Sequence, residues 1–107
     1  MSKDALAILI EARRLIEQGW IQGHSSAVID GVTCYCLSGA LMAAAKCKEA
    51  WLGVDALMDA RSSVKVVLRS YYGADDYIAQ WNDYPGRLRV QVLAVLDKAI
   101  ASYGGAS

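Results

Sequence analysis

Near the start of the chain the apolar residues Ala5, Ile8, Leu9, Ala12, Leu15 and Ile16 recur every three or four positions. Lys3, Glu11, Arg14, Glu17 and Gln18 fall largely between them, which draws one apolar stripe along a helix. Ser2 is placed to cap its start, Asp4 complements the helix dipole, and Gly19 is the expected left-handed stop. From Trp20 to Leu37 the period shortens. Two β-branched runs in "SSAVIDGVTCYC" flank Asp30-Gly31, a dipeptide suited to a tight turn, and predict a hairpin. Extended backbone over the second run puts Val32, Cys34 and Cys36 on one face and Thr33, Tyr35 and Leu37 on the other.

Ser38 is the expected N-cap of a second helix, "GALMAAAKCKEAW", running to about Ala50, whose alanines let a neighbouring helix approach closely. Gly53 breaks the pattern. Asp55 then caps a third helix to about Tyr72, with Leu57, Ala60, Val64, Val67, Leu68 and Tyr71 as its face and Ser62-Ser63 as a candidate kink. Gly73 ends it, Asp75 opens a short helical turn "DYIAQW", and "NDYPG" reads as a turn. The last helix runs from about Leu88 to Tyr103 with Leu88, Val92, Val95, Leu96, Ala99 and Tyr103 inward. The expected fold is mainly α: a compact bundle of about four helices with a short β-hairpin inserted after helix one, residues 1–107 forming a single domain.

Composition narrows the function. The chain has 107 residues, 55% of them hydrophobic and 21% charged. A chain of this size buries roughly two-thirds of its unfolded surface, so folding requires neither a disulfide nor a metal. Its formal net charge is zero, which argues against nucleic acid as a partner held by bulk electrostatics. No apolar run reaches the ~18 residues of a membrane span, and "MSKDA" lacks the charged-then-apolar design of a signal segment. The expectation is a cytoplasmic protein with reduced thiols, and three cysteines fit no paired framework.

Candidate chemistry centres on "CYC". A zinc site needs four ligands, but Cys34, Cys36, Cys47 and the single histidine, His24, lack the spacing of a structural knuckle. No metal and no cofactor are therefore expected. Cys36 lies just ahead of a helix N-terminus, where the dipole lowers a thiol pKa, and His24 is the one imidazole that could serve it as a base. Against that alternative, a cysteine-dependent hydrolase or thiol-redox protein, stands the simpler reading of reduced cysteines packed as small hydrophobes. Trp20, Trp51 and Trp81 read as core anchors. In "WNDYPGR", Asn82 and Asp83 can accept backbone N–H bonds, Pro85-Gly86 suits a type II turn, and Arg87 can fork onto a carboxylate or carbonyl. A second alternative makes this loop a polar-ligand module, with Gln22, His24, Asn82, Asp83, Arg87 and Arg89 as binding residues.

Three stretches, "GWIQG", "CYCLSGAL" and "WNDYPGR", stand in that order ahead of "VLAVLDKAI". Together they resemble a family of small bacterial and phage proteins of unknown function, patterned as Trp-x-Gln-Gly, Cys-x-x-Gly-Ala-Leu and Trp-Asn-Asp-x-Pro-Gly-Arg. The resemblance singles out Trp20, Gln22, Gly23, Cys36, Gly39, Ala40, Trp81, Asn82, Asp83, Pro85, Gly86 and Arg87, and implies no activity, substrate or cofactor. It also places a threonine after the arginine, where this chain has Leu88. The expected function is binding, by a small cytosolic and phage- or prophage-related protein, to a protein partner or to a second copy of itself. Leu6, Ile10, Val90 and Leu93 widen the apolar arcs of the first and last helices beyond what one core contact needs.

Overall fold

The computed structural model describes residues 3–46, 52–73 and 77–104. It is mainly helical, with α1 (Lys3–Gln18), β1 (Ser26–Ile29), β2 (Val32–Tyr35), α2 (Leu37–Ala45), α3 (Val54–Tyr72), α4 (Ile78–Asn82) and α5 (Arg89–Gly104) in chain order. The predicted stripe of α1 is the centre of the packing: Ala5, Ile8, Leu9, Ala12 and Ile16 are fully buried, and α1 touches α2, α3, α5 and β2. Ala40, Ala44 and Ala45 of α2 are fully buried as well, so the thin alanine surface does face its neighbours.

The hairpin forms as the sequence predicts. Ile29 pairs with Val32 across Asp30 and Gly31, whose φ angles of 51° and 79° are both left-handed, as a two-residue type I′ turn requires. Its two faces differ from expectation at the distal end. Cys34 and Cys36 are buried, but Val32 is exposed, and Leu37 already belongs to α2.

Several boundaries move for identifiable reasons. Gly19 is not a left-handed stop, since its φ is not positive. It is glycine because β2 runs against it: a Cβ there would lie 2.6 Å from Cys34 Sγ. Cys36, not Ser38, caps α2; its Sγ accepts the Gly39 N–H at 3.2 Å, leaving Ser38 Oγ to accept from Arg61 Nη1 at 2.9 Å. The helix stops at Ala45, short of Ala50, with Lys46 turning back onto Met42 and Ala43. Residues 47–51, and with them Cys47 and Trp51, lie outside the described residues, as does Asp75.

Gly53, rather than Asp55, occupies the N-cap of α3, and Gly73 closes that helix in the left-handed conformation. The helix is unbroken through Ser62 and Ser63, and Ser63 Oγ donates to the Asp59 carbonyl. Tyr71 is exposed instead of sharing the buried face, its ring lying 4.9 Å from Lys98 Nζ. Along α5 the inner residues Val92, Val95, Leu96 and Ala99 are fully buried. Leu15 and Tyr103 are partly buried against the core. Arg13 of α1 bridges Asp97 of α5 and Glu17 of its own helix, and those two carboxylates, Asp97 first, raise its pKa above the usual arginine value.

Leu88 departs most from its expected role. It is 57% exposed and sits one residue before α5, where its carbonyl accepts from Gln91 and Val92. Its own N–H is accepted by Gln91 Oε1 at 2.8 Å. That is half of a capping box: the glutamine three residues on is present, and the hydroxyl that should return the bond is missing. Leu88→Thr should therefore complete the box and stabilise the protein by about 0.5–1 kcal/mol. Urea unfolding measures this; a neutral or destabilising result would mean that Leu88 earns its place by packing.

Candidate functional site

The residues marked by the three motifs converge on one place, where the loop after α1, the first turn of α2 and the segment from α4 to α5 meet. At its centre is Asn82, the one fully buried polar residue among those described. Its Oδ1 accepts from Trp20 Nε1 at 2.7 Å and from the Leu37 backbone N–H at 3.0 Å. Its Nδ2 donates to the Ile21 carbonyl at 3.1 Å and to Asp83 Oδ1 at 2.9 Å. An indole N–H and a main-chain N–H can only donate, and a carbonyl and carboxylate here can only accept, so the amide orientation is fixed by chemistry. All four hydrogen-bonding positions of the side chain are filled.

Further bonds close the same seam. Gln22 Nε2 donates to the Asn82 carbonyl at 2.9 Å and to the Tyr84 carbonyl at 3.0 Å, and Asp83 Oδ1 also accepts the Gly23 N–H at 3.0 Å. Gly23 and Gly86 both take positive φ. At Gly86 this completes a type II turn closed by the Arg87 N–H donating to the Tyr84 carbonyl at 3.0 Å. Arg87 Nε donates to the Trp81 carbonyl, and its guanidinium lies 4.0 Å over the Trp81 ring with the Tyr72 and Tyr84 rings alongside. Trp81 meets Tyr72 edge to face, and its indole N–H is buried without a hydrogen-bond partner.

Of the residues singled out from sequence, Gln22, Asn82, Asp83 and Arg87 are thus brought together, and their polar groups are largely engaged with the protein itself. His24 is exposed beside them. With Cys36, Asp83 and Ser38 it lines a small cleft of about 180 Å³. Cys36 is 4% exposed, and no hydrogen bond joins its thiol to His24. Arg89 stands apart: it is exposed on α5, and its Nη1 donates to the Glu17 carbonyl at 3.3 Å near the end of α1. Among the described residues no group of three or more His, Cys, Asp or Glu side chains could hold a metal, and no helix is long and apolar enough to cross a membrane.

Sequence reasoning missed three participants. The Leu37 N–H reaches Asn82 from 45 residues away, and Tyr72 and Tyr84 flank the arginine. The helix-capping pattern around Ser38 concealed the first, because a donor freed at a helix start looks the same whether water or a side chain satisfies it. Replacing the hub tests the whole seam. Asn82→Ala strands Trp20 Nε1, the Leu37 N–H and the Ile21 carbonyl and should cost about 3 kcal/mol, whereas Trp20→Phe removes one donor and should cost about 1 kcal/mol. Denaturant unfolding of both variants checks this; equal costs would place the hub elsewhere.

Residues 1–102 match a described protein family. No curated protein and no solved structure matches the chain. The chain therefore belongs to DUF6197, a family of unknown function.

Proposed function

We propose that this protein works in the cytosol by binding another polypeptide, a partner protein or a second copy of itself, in the phage-related setting that the motif resemblance implies. The observation that carries the reading is a division of labour on the surface. The polar residues of the motifs are turned inward on the seam around Asn82, while uncharged side chains are left facing solvent. Ile10 on α1 is 52% exposed and Val90 on α5 is 65% exposed, with Leu6 and Leu93 half-buried. At the hairpin, Val28 is 70% exposed, and Ile29 and Val32 are exposed with it. Exposed apolar side chains on α1, α5 and the hairpin fit an interface better than a chemical site. Light scattering from micromolar to millimolar protein measures the self-association arm. The expected outcome is a mass that rises with concentration and ceases to rise in Ile10→Glu and Val90→Glu. A strict monomer throughout removes self-association and leaves the partner protein.

A second reading, cysteine chemistry, is favoured by one observation: Cys36, His24 and Asp83 share a cleft. The thiol is spent on capping α2 and is nearly enclosed. On the binding reading, iodoacetamide at mildly acidic pH modifies Cys36 slowly in the native protein and at the rate of a free thiol after unfolding. Fast, single-site modification of the native protein would move the assignment to the cysteine reading.

A further inference from the structure

The hairpin has two outer edges. Ile29 and Val32 flank the two-residue turn as a hydrogen-bonded pair, so Ala27 and Cys34 form the next such pair, and Val28 and Thr33 point their backbone N–H and C=O outward. The same alternation turns Tyr35 outward, and its edge is already occupied. The Tyr35 N–H donates to the Gly19 carbonyl at 3.0 Å, and the Ile21 N–H donates to the Tyr35 carbonyl at 3.1 Å. The chain just after α1 therefore lies along β2 as a short parallel strand, bridging Trp20 to Tyr35.

That coverage stops one step early. Two residues back, at Thr33, the covering segment has already become α1, and the Thr33 N–H and C=O find no partner among the described residues. In the space where helix and strand diverge lies a cleft of about 510 Å³, lined by Leu15, Gln18, Gly31, Val32, Thr33 and Tyr35. Its volume falls within the roughly 300–1,000 Å³ of small-ligand sites. No lining residue is charged. Leu15 and Val32 supply apolar walls, and the Gln18, Thr33 and Tyr35 side chains supply neutral polar groups.

We infer that this cleft binds an extended, uncharged peptide segment of a protein partner, which adds one strand residue beside Thr33 and seats an aliphatic side chain between Leu15 and Val32. Three observations select that occupant. The open N–H and C=O of Thr33 are the complement of a peptide backbone. The chain's own Gly19–Ile21 shows that this edge accepts an extended segment. The uncharged lining gives an acidic or basic ligand no counter-charge to meet. The inference rests on the polypeptide-binding reading above and gives it a location.

The test uses the full-length protein and N-acetyl-leucine N-methylamide as probe, followed by amide chemical shifts. The expected result is a saturable response concentrated at Leu15, Gln18, Thr33 and Tyr35. Methylating both amide nitrogens of the probe removes its donors and should weaken binding about fivefold to tenfold. Thr33→Pro deletes the outward N–H without touching a ladder bond and should weaken binding similarly. The probe comparison needs no mutant, so it decides the matter even if that variant folds poorly. A response that does not saturate, scatters over the surface, or ignores the methylation overturns the inference. If the probe instead converts a dimer to monomer, the cleft belongs to a second copy and the assignment to a partner protein is overturned. Self-association without probe binding refutes this cleft alone; probe binding by a strict monomer refutes self-association alone.

Discussion

One buried amide holds the molecule's least regular part in place. Four helices packed through alanine, leucine and valine need only burial to associate, and burial has no direction. The loop after α1, the start of α2 and the turn before α5 have little apolar surface to spend, yet they must fit together to within hydrogen-bonding distance. Asn82 supplies the direction. It presents two acceptor and two donor positions, and indole, main-chain amide, carbonyl and carboxylate occupy them in turn. At a fully buried site each partner lost leaves an orphaned polar group. Such a hub specifies geometry more than it adds stability, because every bond replaces one made to water in the unfolded chain.

Two close approaches depend on the same geometry. A Cβ on Gly39 would stand 2.1 Å from the Ser25 carbonyl oxygen, and one on Gly19 would meet the Cys34 sulfur. The hairpin base is thereby pressed against both α2 and the end of α1. This explains why Cys36 serves as a cap. The Cys36 N–H donates to the Ser25 carbonyl, so the residue finishes the hairpin as its carbonyl and sulfur begin α2. A two-stranded hairpin is marginal alone, and here it is stapled at the base while its tip stands free. The exposed Val28, Ile29 and Val32 follow from that arrangement.

The surface inherits the consequences. Residues that would be first choices for chemistry, Gln22 of one motif and Asn82, Asp83 and Arg87 of another, are largely engaged in holding the loops. Apolar side chains remain outward among the charged ones, on α1, α3, α5 and the hairpin. A protein with zero formal net charge presents no long-range field to steer a ligand. Recognition on such a surface relies on shape, apolar contact and open backbone groups.

Much of this was legible in the sequence. Helical periodicity located α1, α3 and α5, because burial along one stripe is a one-dimensional property that spacing records. Asp30-Gly31 located the hairpin turn, because few residue pairs tolerate two left-handed angles in succession. Local signals failed where a distant contact decided. Ser38 looked like a cap until Cys36 took the position and Arg61 took the hydroxyl. Gly19 looked like a stop until β2 was laid across it. Leu88 and Tyr71 kept the right spacing for the core but lie largely in solvent, Tyr71 touched by Lys98 of α5. Asn82 and Trp20 are 62 residues apart, and nothing in either neighbourhood names the other. Sequence alone determined which segments are helical, where the chain turns and which motif residues matter. Tertiary structure alone decided that those motif residues hold one another, since a hydrogen bond between distant side chains exists only once the helices have packed and brought them within three ångströms.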